Sequence, residues 1–203
     1  MGEPTTDGQR PVKRRRGAAR GRILDAAARR FYADGVTATG IDTITAEAGV
    51  AKMSLYNNFG SKADLVRAYL MARHEEWLGL YERRLTAAAP GPAAVLAVFD
   101  AYADHAELAY EQGFRGCGLL NAAAELPAGH PGRAVVRAHK EEVEGLLAAH
   151  LRELLPGQEE RARSTAEHLA FLLEGAVVRA GLEGDSTRVR HARELASSLM
   201  AAL

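Results

Sequence analysis

Residues 41–65 have the sequence IDTITAEAGVAKMSLYNNFGSKADL, and the spacing of apolar residues within it decides the fold of this part of the chain. Ile41, Ile44 and Ala48 recur at intervals of three and four residues, which is the spacing of one face of an α-helix. Gly49 follows directly, and glycine is the residue best suited to the left-handed turn that ends many helices. The pattern therefore predicts a short helix that ends at Gly49.

A second short helix is predicted from Lys52 to Phe59, and Gly60 ends it. Because only a few residues join the two helices, the pair has the form of a helix-turn-helix. Ser61-Lys62-Ala63-Asp64 then matches a capping box, in which a serine caps a new helix and an acidic residue follows three positions later. This cap predicts a long helix that runs towards Leu85.

The second helix of the pair divides into two faces. At about 100° per residue, Leu55 and Phe59 share one side and are expected to pack against the preceding helices. The other side chains offer amide, hydroxyl, cationic and methyl groups, which suit base edges and phosphates in a major groove. They are Lys52, Met53, Ser54, Tyr56, Asn57 and Asn58. The alternative is an ordinary corner between two helices of a bundle.

Upstream of this pair, a further apolar stripe predicts a helix from about Arg20 to Asp34. Its members are Ile23, Leu24, Ala27 and Phe31. Residues 1–16 contain almost no apolar side chains and become strongly basic, so we expect a disordered arm. Such an arm could contact phosphates or a minor groove, or it could simply aid solubility.

The formal net charge of zero conceals an uneven distribution along the chain. Residues 1–62 contain 11 lysines and arginines against 6 acidic residues, whereas residues 63–203 contain 15 against 20. A basic segment followed by an acidic one is typical of a polyanion-binding module joined to a second domain. Clusters of charge are more often plain solvated surface, so this observation is weak by itself.

Beyond Ala89-Pro90-Gly91-Pro92, the clearest break in the chain, glycine and proline separate five more helical patterns. These helices are predicted at about residues 92–111, 118–126, 131–155, 158–182 and 186–202. Because no β-branched run of period two occurs, the predicted fold is all-α with about nine helices. The predicted domains are a basic arm (1–16), a helix-turn-helix DNA-binding domain (17–62) and a helical ligand-binding and dimerisation domain (63–203).

A denser pattern runs through residues 20–70 without a gap. It consists of Ile23-Leu24-Asp25-Ala26-Ala27, Phe31, Gly35, Thr39, Ile44, Ala48-Gly49-Val50, Leu55-Tyr56, Phe59, Ser61-Lys62 and Leu65. This pattern resembles the DNA-binding domain of the TetR family of bacterial transcriptional regulators. The resemblance implies a dimeric regulator, most often a repressor, that binds a roughly palindromic double-stranded operator and responds to a small molecule.

The resemblance also implies roles for particular residues. The second helix of the pair is expected to contact bases, and Tyr56 and Lys62 are expected to contact phosphates. Thr39 and Thr43, near the start of the first helix, are expected to contact the DNA backbone.

Three residues depart from the family's pattern. Gly40 and Asp42 stand where a threonine and a basic or neutral residue are common, and Ala51 stands where a serine usually caps the next helix. The missing cap gives up about 1 kcal/mol. Because a carboxylate beside phosphate is repulsive, we expect Asp42 to point sideways.

The second half of the chain carries aromatic side chains on helices that are expected to surround a central space. Small-molecule pockets are largely apolar with a few polar groups, which this half could supply. The predicted ligand-binding residues are Trp77, Tyr81, Phe99, Tyr102, Phe114, Cys117, Asn121, Phe171 and Glu174. Ordinary core packing is the alternative for each of them.

The stretch Gly116-Cys117…Asn121-Ala122 is similar to one that lies beside the cavity in many TetR-like regulators, which implies that Asn121 contacts the ligand. Cys117, the only cysteine, has two interpretations. It could sense electrophiles or oxidants, or it could be a small buried apolar residue. No charged activator adjoins it in the sequence, and this favours the second interpretation.

The last two predicted helices carry broad apolar stripes, from which we expect a homodimer built as a four-helix bundle. The stripes are Leu169, Leu172, Leu173, Ala176, Val177 and Ala180, followed by Leu195, Leu199 and Ala202. Burial within one protomer is the alternative. A dimer would set two recognition helices about 34 Å apart, or near a multiple of that helical turn.

The sequence lacks the patterns of enzyme and cofactor sites. Its seven histidines have neither HxxxH nor HExxH spacing, and no GxSxG, P-loop or Rossmann glycine pattern occurs. A buried dyad of Cys117 and His139 and a plain protein-binding scaffold are the weaker alternatives. We therefore expect no catalytic residue, metal or cofactor. The lone cysteine, together with the lack of a secretory or membrane-length apolar run, predicts a cytoplasmic protein.

Overall fold

The computed structural model describes residues 10–203, with side chains described from residue 17 onward. Over this part of the chain there are nine helices and no strand, which confirms the predicted all-α class. The helices are α1 (Arg10–Ala33), α2 (Ile41–Ala48), α3 (Lys52–Asn58), α4 (Lys62–Ala87), α5 (Pro92–Ala106), α6 (Gly118–Glu125), α7 (Pro131–Leu154), α8 (Glu159–Glu183) and α9 (Thr187–Ala201). Within residues 10–203, no helix has an apolar stretch long enough to cross a membrane.

Helix α1 begins ten residues before the predicted start at Arg20. Residues 10–16, assigned from the sequence to a disordered arm, therefore belong to this helix, whereas the expectation for residues 1–9 lies outside the described chain. Alanine, arginine and lysine favour helix formation, so a helix can extend past the last turn of its apolar stripe. An apolar pattern marks where a helix is buried and not where it starts.

The described chain forms two compact units, and the boundary between them lies within α4. The N-terminal unit ends at Tyr69 and the C-terminal unit begins at Leu70, several residues beyond the predicted boundary after residue 62. Leu65 and Tyr69 are fully buried, and the ring of Tyr69 packs edge-on against Phe31 with the centroids 5.5 Å apart. The first turns of α4 therefore complete the core of the N-terminal unit.

The N-terminal unit has a small apolar core between α1, α2 and α3. Its fully buried side chains include Ile23, Ala27, Ile44 and Leu55. Two ion pairs join α1 to α2, because the guanidinium groups of Arg29 and Arg30 each lie 2.6 Å from a carboxylate oxygen of Glu47. Burial holds the three helices together, and the ion pairs fix how α1 and α2 align.

The caps of these helices explain where the turns fall. Gly49 follows α2 in the left-handed conformation with φ 62° and ψ 43°, as the sequence predicts. The predicted capping box is also confirmed, since Ser61 Oγ accepts a hydrogen bond from the Asp64 amide at 3.1 Å and donates one to Asp64 Oδ2 at 2.7 Å. Gly40 and Ala51 precede α2 and α3 without a side-chain cap.

In the C-terminal unit, α5 is the central helix. It packs against α7, α8 and α9, and it buries nearly every residue from Ala94 to Ala106. A helix that is apolar all round must lie inside a domain. The remaining helices surround it, with α7 against α8 and α6, and α8 against α9.

Helix α5 ends at Ala106 and not near residue 111 as predicted. Tyr110 folds back and donates a hydrogen bond from its hydroxyl to the His105 carbonyl at 3.0 Å, which satisfies a carbonyl at the helix end. Glu107 leaves the helix to accept a hydrogen bond from Ser186 at 2.7 Å and to pair with Arg190. These tertiary contacts cannot be recognised from the spacing of apolar residues.

The segment before α6 crosses α8 at two glycines. A Cβ built on Gly181 would lie 2.6 Å from Gly116 Cα and 2.8 Å from the Arg115 carbonyl carbon. Gly116 itself has φ 86°, a backbone conformation that residues other than glycine rarely adopt. Gly181 is required because backbone lies directly against it, and Gly116 is required by its positive φ. This crossing fixes Cys117, which follows Gly116, within 3.8 Å of Lys140 on α7.

We expect Gly181→Ala to lower the free energy of unfolding by about 1–3 kcal/mol or more, because the atoms that the new methyl group meets are backbone atoms that cannot rotate away. Urea unfolding followed by the fluorescence of Trp77, the single tryptophan, measures this effect in the C-terminal unit. Gly145→Ala on α7 is the matched control, since nothing lies within 4 Å of the position that its new Cβ would take. Gly145→Ala should raise the free energy of unfolding by about 0.5–1 kcal/mol, because alanine favours a helix more than glycine does. Equal stability of the two variants would contradict the close crossing.

Candidate nucleic-acid interface and sensor site

Helix α3 presents one face to the core and the other to solvent. Leu55 and Phe59 are buried, which confirms the predicted division of this segment, whereas Met53 is 69% exposed. Lys52, Tyr56 and Asn57 are also exposed. The α3 surface, defined as Lys52, Met53, Ser54, Tyr56, Asn57 and Asn58, therefore combines cationic, amide, hydroxyl and apolar groups on a single short helix.

Some of the predicted DNA contacts already take part in hydrogen bonds within the protein. Asn58 donates from its amide to the Ser54 carbonyl at 2.7 Å, and both residues are half-buried. The Lys62 ammonium donates to the Thr37 carbonyl at 3.4 Å. These groups lie at the edge of the α3 surface, and each keeps further donor hydrogens for another partner, since an ammonium has three and an amide has two.

The two threonines predicted to contact the DNA backbone have different surroundings. Thr43 is exposed on the first turn of α2. Thr39 is only 3% exposed, and its hydroxyl donates to the Gly35 carbonyl at 2.6 Å. The side chain of Thr39 thus closes the turn after α1 and is not presented at the surface.

Asp42, one of the three departures from the family pattern, forms an ion pair with the α3 surface. Its Oδ1 lies 2.9 Å from the Lys52 ammonium. The hydrogen bond from Lys52 to Asp42, followed by the charge of Asp42, raises the pKa of Lys52 above its ordinary value. Asp42 therefore points towards α3, as expected from its unfavourable position beside a phosphate, and it neutralises a cation of the predicted interface.

In the C-terminal unit, three of the predicted aromatic residues form one cluster. Trp77 stacks on Tyr81 with the centroids 5.7 Å apart and the planes 3° from parallel, and it lies 5.1 Å from the ring of Tyr102. His139 packs edge-on against Trp77 at 5.4 Å. All four side chains are buried.

Lys140 joins the polar members of the predicted set. Its ammonium lies 2.7 Å from a carboxylate oxygen of Glu174, 3.3 Å from the Tyr102 hydroxyl and 3.8 Å from Cys117 Sγ. Burial by itself lowers the pKa of Lys140, but Tyr102, Cys117 and Glu174 outweigh it and the net direction is upward. The ammonium therefore stays charged. A cation does adjoin Cys117, but it comes from α7 and not from neighbouring sequence.

A second histidine, His74, completes this cluster beside His139. His74 and His139 approach with their Nδ1 atoms 3.0 Å apart, and the Tyr102 hydroxyl lies 3.2 Å from His139 Nε2. Burial, followed by the charge of Lys140 and by His74 and His105, lowers the pKa of His139 to about 3. His139 is therefore neutral at physiological pH. Burial likewise raises the pKa of Tyr102, so its phenol is also neutral.

Sequence reasoning missed Lys140 as a cluster member and considered His139 only for a catalytic dyad. A signal for His139 was present, because it falls on the buried stripe of α7 with Val136, Val143 and Leu147. Lys140 gave no such signal, since it lies next to the charged pair Glu141-Glu142 and resembles a solvated face.

The other predicted ligand contacts lie apart from this cluster or are engaged locally. Phe171 is 65% exposed on α8, so its assignment to a buried pocket is wrong. Asn121 donates from its amide to the Arg115 carbonyl at 2.9 Å, within its own segment. Phe114 is buried against His105, and Phe99 is fully buried in α5.

Phe171 instead belongs to an apolar surface that we call the α8–α9 face. Its exposed residues are Phe171, Val178, Leu182, Leu195 and Leu199. A shallow groove of about 350 Å³ lies between its two helices. Most of the α8 stripe predicted for dimerisation, including Leu169, Leu173 and Val177, is buried within the protomer. On α8 the exposed face is therefore rotated from the predicted stripe, whereas on α9 the exposed Leu195 and Leu199 belong to the predicted one.

Fold and site together define a class of protein: a DNA-binding regulator with an N-terminal helix-turn-helix unit and an all-helical C-terminal unit. Residues 23–69 match the family "Bacterial regulatory proteins, tetR family", and residues 91–196 match the family "Tetracyclin repressor-like, C-terminal domain". The chain belongs to the TetR family of transcriptional regulators. Members of this family are not enzymes, and no cluster of three metal-ligating side chains occurs among the described residues.

Solved structures agree with this assignment over nearly the whole chain. A TetR-family regulator from Streptomyces coelicolor is 30% identical, with a TM-score of 0.81 over 92% of this chain and 96% of that one. A TetR regulator from Chloroflexus aurantiacus is 25% identical, with a TM-score of 0.79 over 93% and 96%. The regulator TtgR of Pseudomonas putida is 43% identical over 56 residues, which span 28% of this chain and only 27% of TtgR.

Acid should destabilise the C-terminal unit through its buried histidines. Burial, followed by the charges of Arg73 and Lys140, lowers the pKa of His105 to about 4, and His139 titrates at about 3. Unfolded histidine titrates near 6.5, so the unfolded state binds the extra protons below that pH. The stability contribution is complete above about pH 6.5 and is lost as the pH falls towards 4, at up to about 1.4 kcal/mol per pH unit for each histidine.

Urea unfolding at several pH values, followed by Trp77 fluorescence, measures this slope. His105→Gln should flatten it, whereas His191→Gln, on an exposed part of α9, should leave it unchanged. An identical slope in both variants would show that His105 already titrates normally in the folded protein.

The Asp42–Lys52 pair should weaken non-specific DNA binding. Asp42→Asn removes the carboxylate that pairs with the Lys52 ammonium and repels the DNA, so affinity for an arbitrary duplex should rise and the slope of log K against log salt should steepen by about 1 per protomer. Asp25→Asn, an exposed change of the same charge on α1, is the control for long-range electrostatics. The difference between the two variants should vanish in a Lys52→Gln background, and its persistence there would exclude Lys52 as the cause.

Proposed function

We propose that this regulator binds a roughly palindromic operator as a homodimer, represses transcription from it, and is released or re-tuned by a small molecule bound in the C-terminal unit. The single observation that carries the DNA-binding part is the α3 surface, which is held by the burial of Leu55 and Phe59. A reducing cytoplasm suits both a DNA target and a lone thiol.

At the operator, we propose that Asn57 and Lys52 contact base edges. An amide pairs with adenine and an ammonium with guanine in the major groove, and Met53 can pack against a thymine methyl. Tyr56, Thr43 and Lys62 are proposed to contact phosphates, which position the helix without specifying sequence. Ser54 and Asn58, at the half-buried edge, are proposed to contribute through the Ser54 hydroxyl and the Asn58 amide hydrogen that does not donate to the Ser54 carbonyl.

The homodimer is proposed to form through the last two helices. The α8–α9 face exposes large apolar side chains at spacings of four and seven residues along each helix, and such a surface is costly to leave in water. A two-fold axis would place this face against its own copy. Two α3 helices would then meet successive or more distant turns of the same face of DNA.

The effector is proposed to bind at the cluster of Trp77, Tyr81, Tyr102, Cys117 and Glu174. Helix α4 carries both the Ser61 cap that follows α3 and Trp77, so one continuous helix belongs to both units. A ligand can act through it only by binding two states of the protein with different affinity, typically by 1–3 kcal/mol. Phe99, Phe114 and Asn121 are proposed to support this site by packing.

The experiment begins with selection of bound duplexes from genomic DNA by the full chain, followed by gel shifts over a range of salt. Asn57→Ala should lose about 1–3 kcal/mol of affinity for the selected duplex and little for a scrambled one, because a base contact carries sequence information. Asn58→Ala, whose amide already donates to Ser54, should lose less. Trp77→Phe should leave DNA affinity unchanged in the absence of effector.

Two outcomes would count against the proposal. If no duplex is enriched, the α3 surface is not an operator-binding surface. If Asn57→Ala weakens the selected and the scrambled duplex equally, Asn57 contacts backbone and not bases.

A further inference from the structure

The indole of Trp77 has an unused hydrogen-bond donor inside the C-terminal unit. The side chain is 2% exposed, and among the described residues no acceptor lies within hydrogen-bond distance of the buried Nε1. More than nine in ten buried polar groups are hydrogen-bonded, because an unpaired one loses its bond to water without replacement. Trp77 is therefore suited to donate to an acceptor that the protein does not itself supply.

The charged groups next to Tyr102 are few. His139 and Tyr102 are neutral near pH 7, and the Lys140 ammonium and the Glu174 carboxylate lie 2.7 Å apart. On the other side of His139, His74 lies 3.5 Å from the Glu142 carboxylate. Tyr102 lies between the Trp77 indole and the Lys140–Glu174 ion pair. Its ring lies 5.1 Å from that of Trp77, and its hydroxyl lies 3.3 Å from Lys140 Nζ.

The two members of this ion pair are not equally replaceable. The Lys140 side chain is 19% exposed, and its ammonium has three neighbours in Glu174, Tyr102 and Cys117. The Glu174 side chain is 33% exposed, and Lys140 is its one partner within the described chain. Glu174 can return to water by rotating its side chain, but Lys140 would have to cross the cluster. Lys140 is thus a fixed cation whose anion can be exchanged.

We propose that the effector site takes a small aromatic acid, whose carboxylate replaces Glu174 on Lys140 while its ring lies against Trp77 and Tyr102 and an oxygen accepts from Trp77 Nε1. The inference rests on the proposed effector site. An aromatic cation is disfavoured there, because the place of a cation beside Glu174 is already taken by Lys140. A neutral aromatic molecule would leave Glu174 in place and form no ion pair with Lys140.

The single indole of the chain makes the test specific, since the ¹⁵N-labelled protein gives one tryptophan side-chain N–H signal. Benzoate, benzamide and benzylammonium share a ring and differ in charge, and each is titrated into the full chain at millimolar concentration. Benzoate should shift the Trp77 signal with an affinity about tenfold or more above that of the other two. Equal or tighter binding of benzamide or benzylammonium overturns the acid as the ligand class.

Two substitutions should act in opposite directions. Lys140→Met should abolish the preference for benzoate, whereas Glu174→Gln should strengthen benzoate binding by removing the competing carboxylate. If Lys140 and Glu174 had a purely structural role, both substitutions would weaken benzoate binding. Weaker binding by Glu174→Gln therefore overturns the proposal, even if Lys140→Met folds poorly. Arg137→Met is the matched control, because it removes a cation of α7 that is exposed and pairs only with Glu141 among the described residues.

The inference and the proposed function fail in different ways. If benzamide or benzylammonium shifts the Trp77 signal and benzoate does not, the effector site stands and the acid class is wrong. If none of the three shifts the signal, the cluster is packed core, and both the effector site and its ligand class fall. If benzoate binds with the predicted preference but leaves the gel shift unchanged, the ligand class stands and the sensing role at this site is wrong.

Discussion

The packing of Leu55 and Phe59 is the contact on which the DNA-facing surface depends. Helix α3 has seven residues, and a helix shorter than about 12–15 residues is not stable alone in water. Its N-terminus lacks a side-chain cap, so local interactions contribute little. Burial of these two side chains therefore supplies both the helical state of α3 and the direction in which Lys52, Tyr56 and Asn57 face.

A comparable constraint operates in the C-terminal unit, where two glycines allow one backbone to lie against another. The crossing of Gly116 and Gly181 brings the segment before α6 onto α8 and sets Cys117 within 3.8 Å of Lys140. An ammonium with so little exposure must be compensated, and Glu174 on α8 supplies the charge. Close packing thus brings Cys117, Lys140 and Glu174 from three separate segments of the chain together.

The three departures from the family pattern all lie at the N-terminal ends of α2 and α3. Gly40 and Ala51 remove caps from α2 and α3, and Asp42 introduces a negative charge beside the α3 surface. The ion pairs of Glu47 with Arg29 and Arg30 and of Asp42 with Lys52 supply links between helices, although exposed pairs are individually weak. Asp42 thus both links α2 to α3 and pairs with Lys52, the first residue of the α3 surface.

The sequence by itself determined the helix-turn-helix, the all-α class and the two-unit order, because apolar periodicity, glycine turns and a capping box are local features. The inward face of α3 followed directly from the spacing of Leu55 and Phe59. Only the tertiary structure decided the rest: that Thr39 is buried, that Phe171 lies on the surface, and that Lys140 lies between Tyr102, Cys117 and Glu174. The position of Thr39 depends on the turn that follows α1, and those of Phe171 and Lys140 depend on how α5, α7 and α8 rotate against one another. A rotation of that kind is set by packing between residues far apart in the chain, which a local pattern does not record.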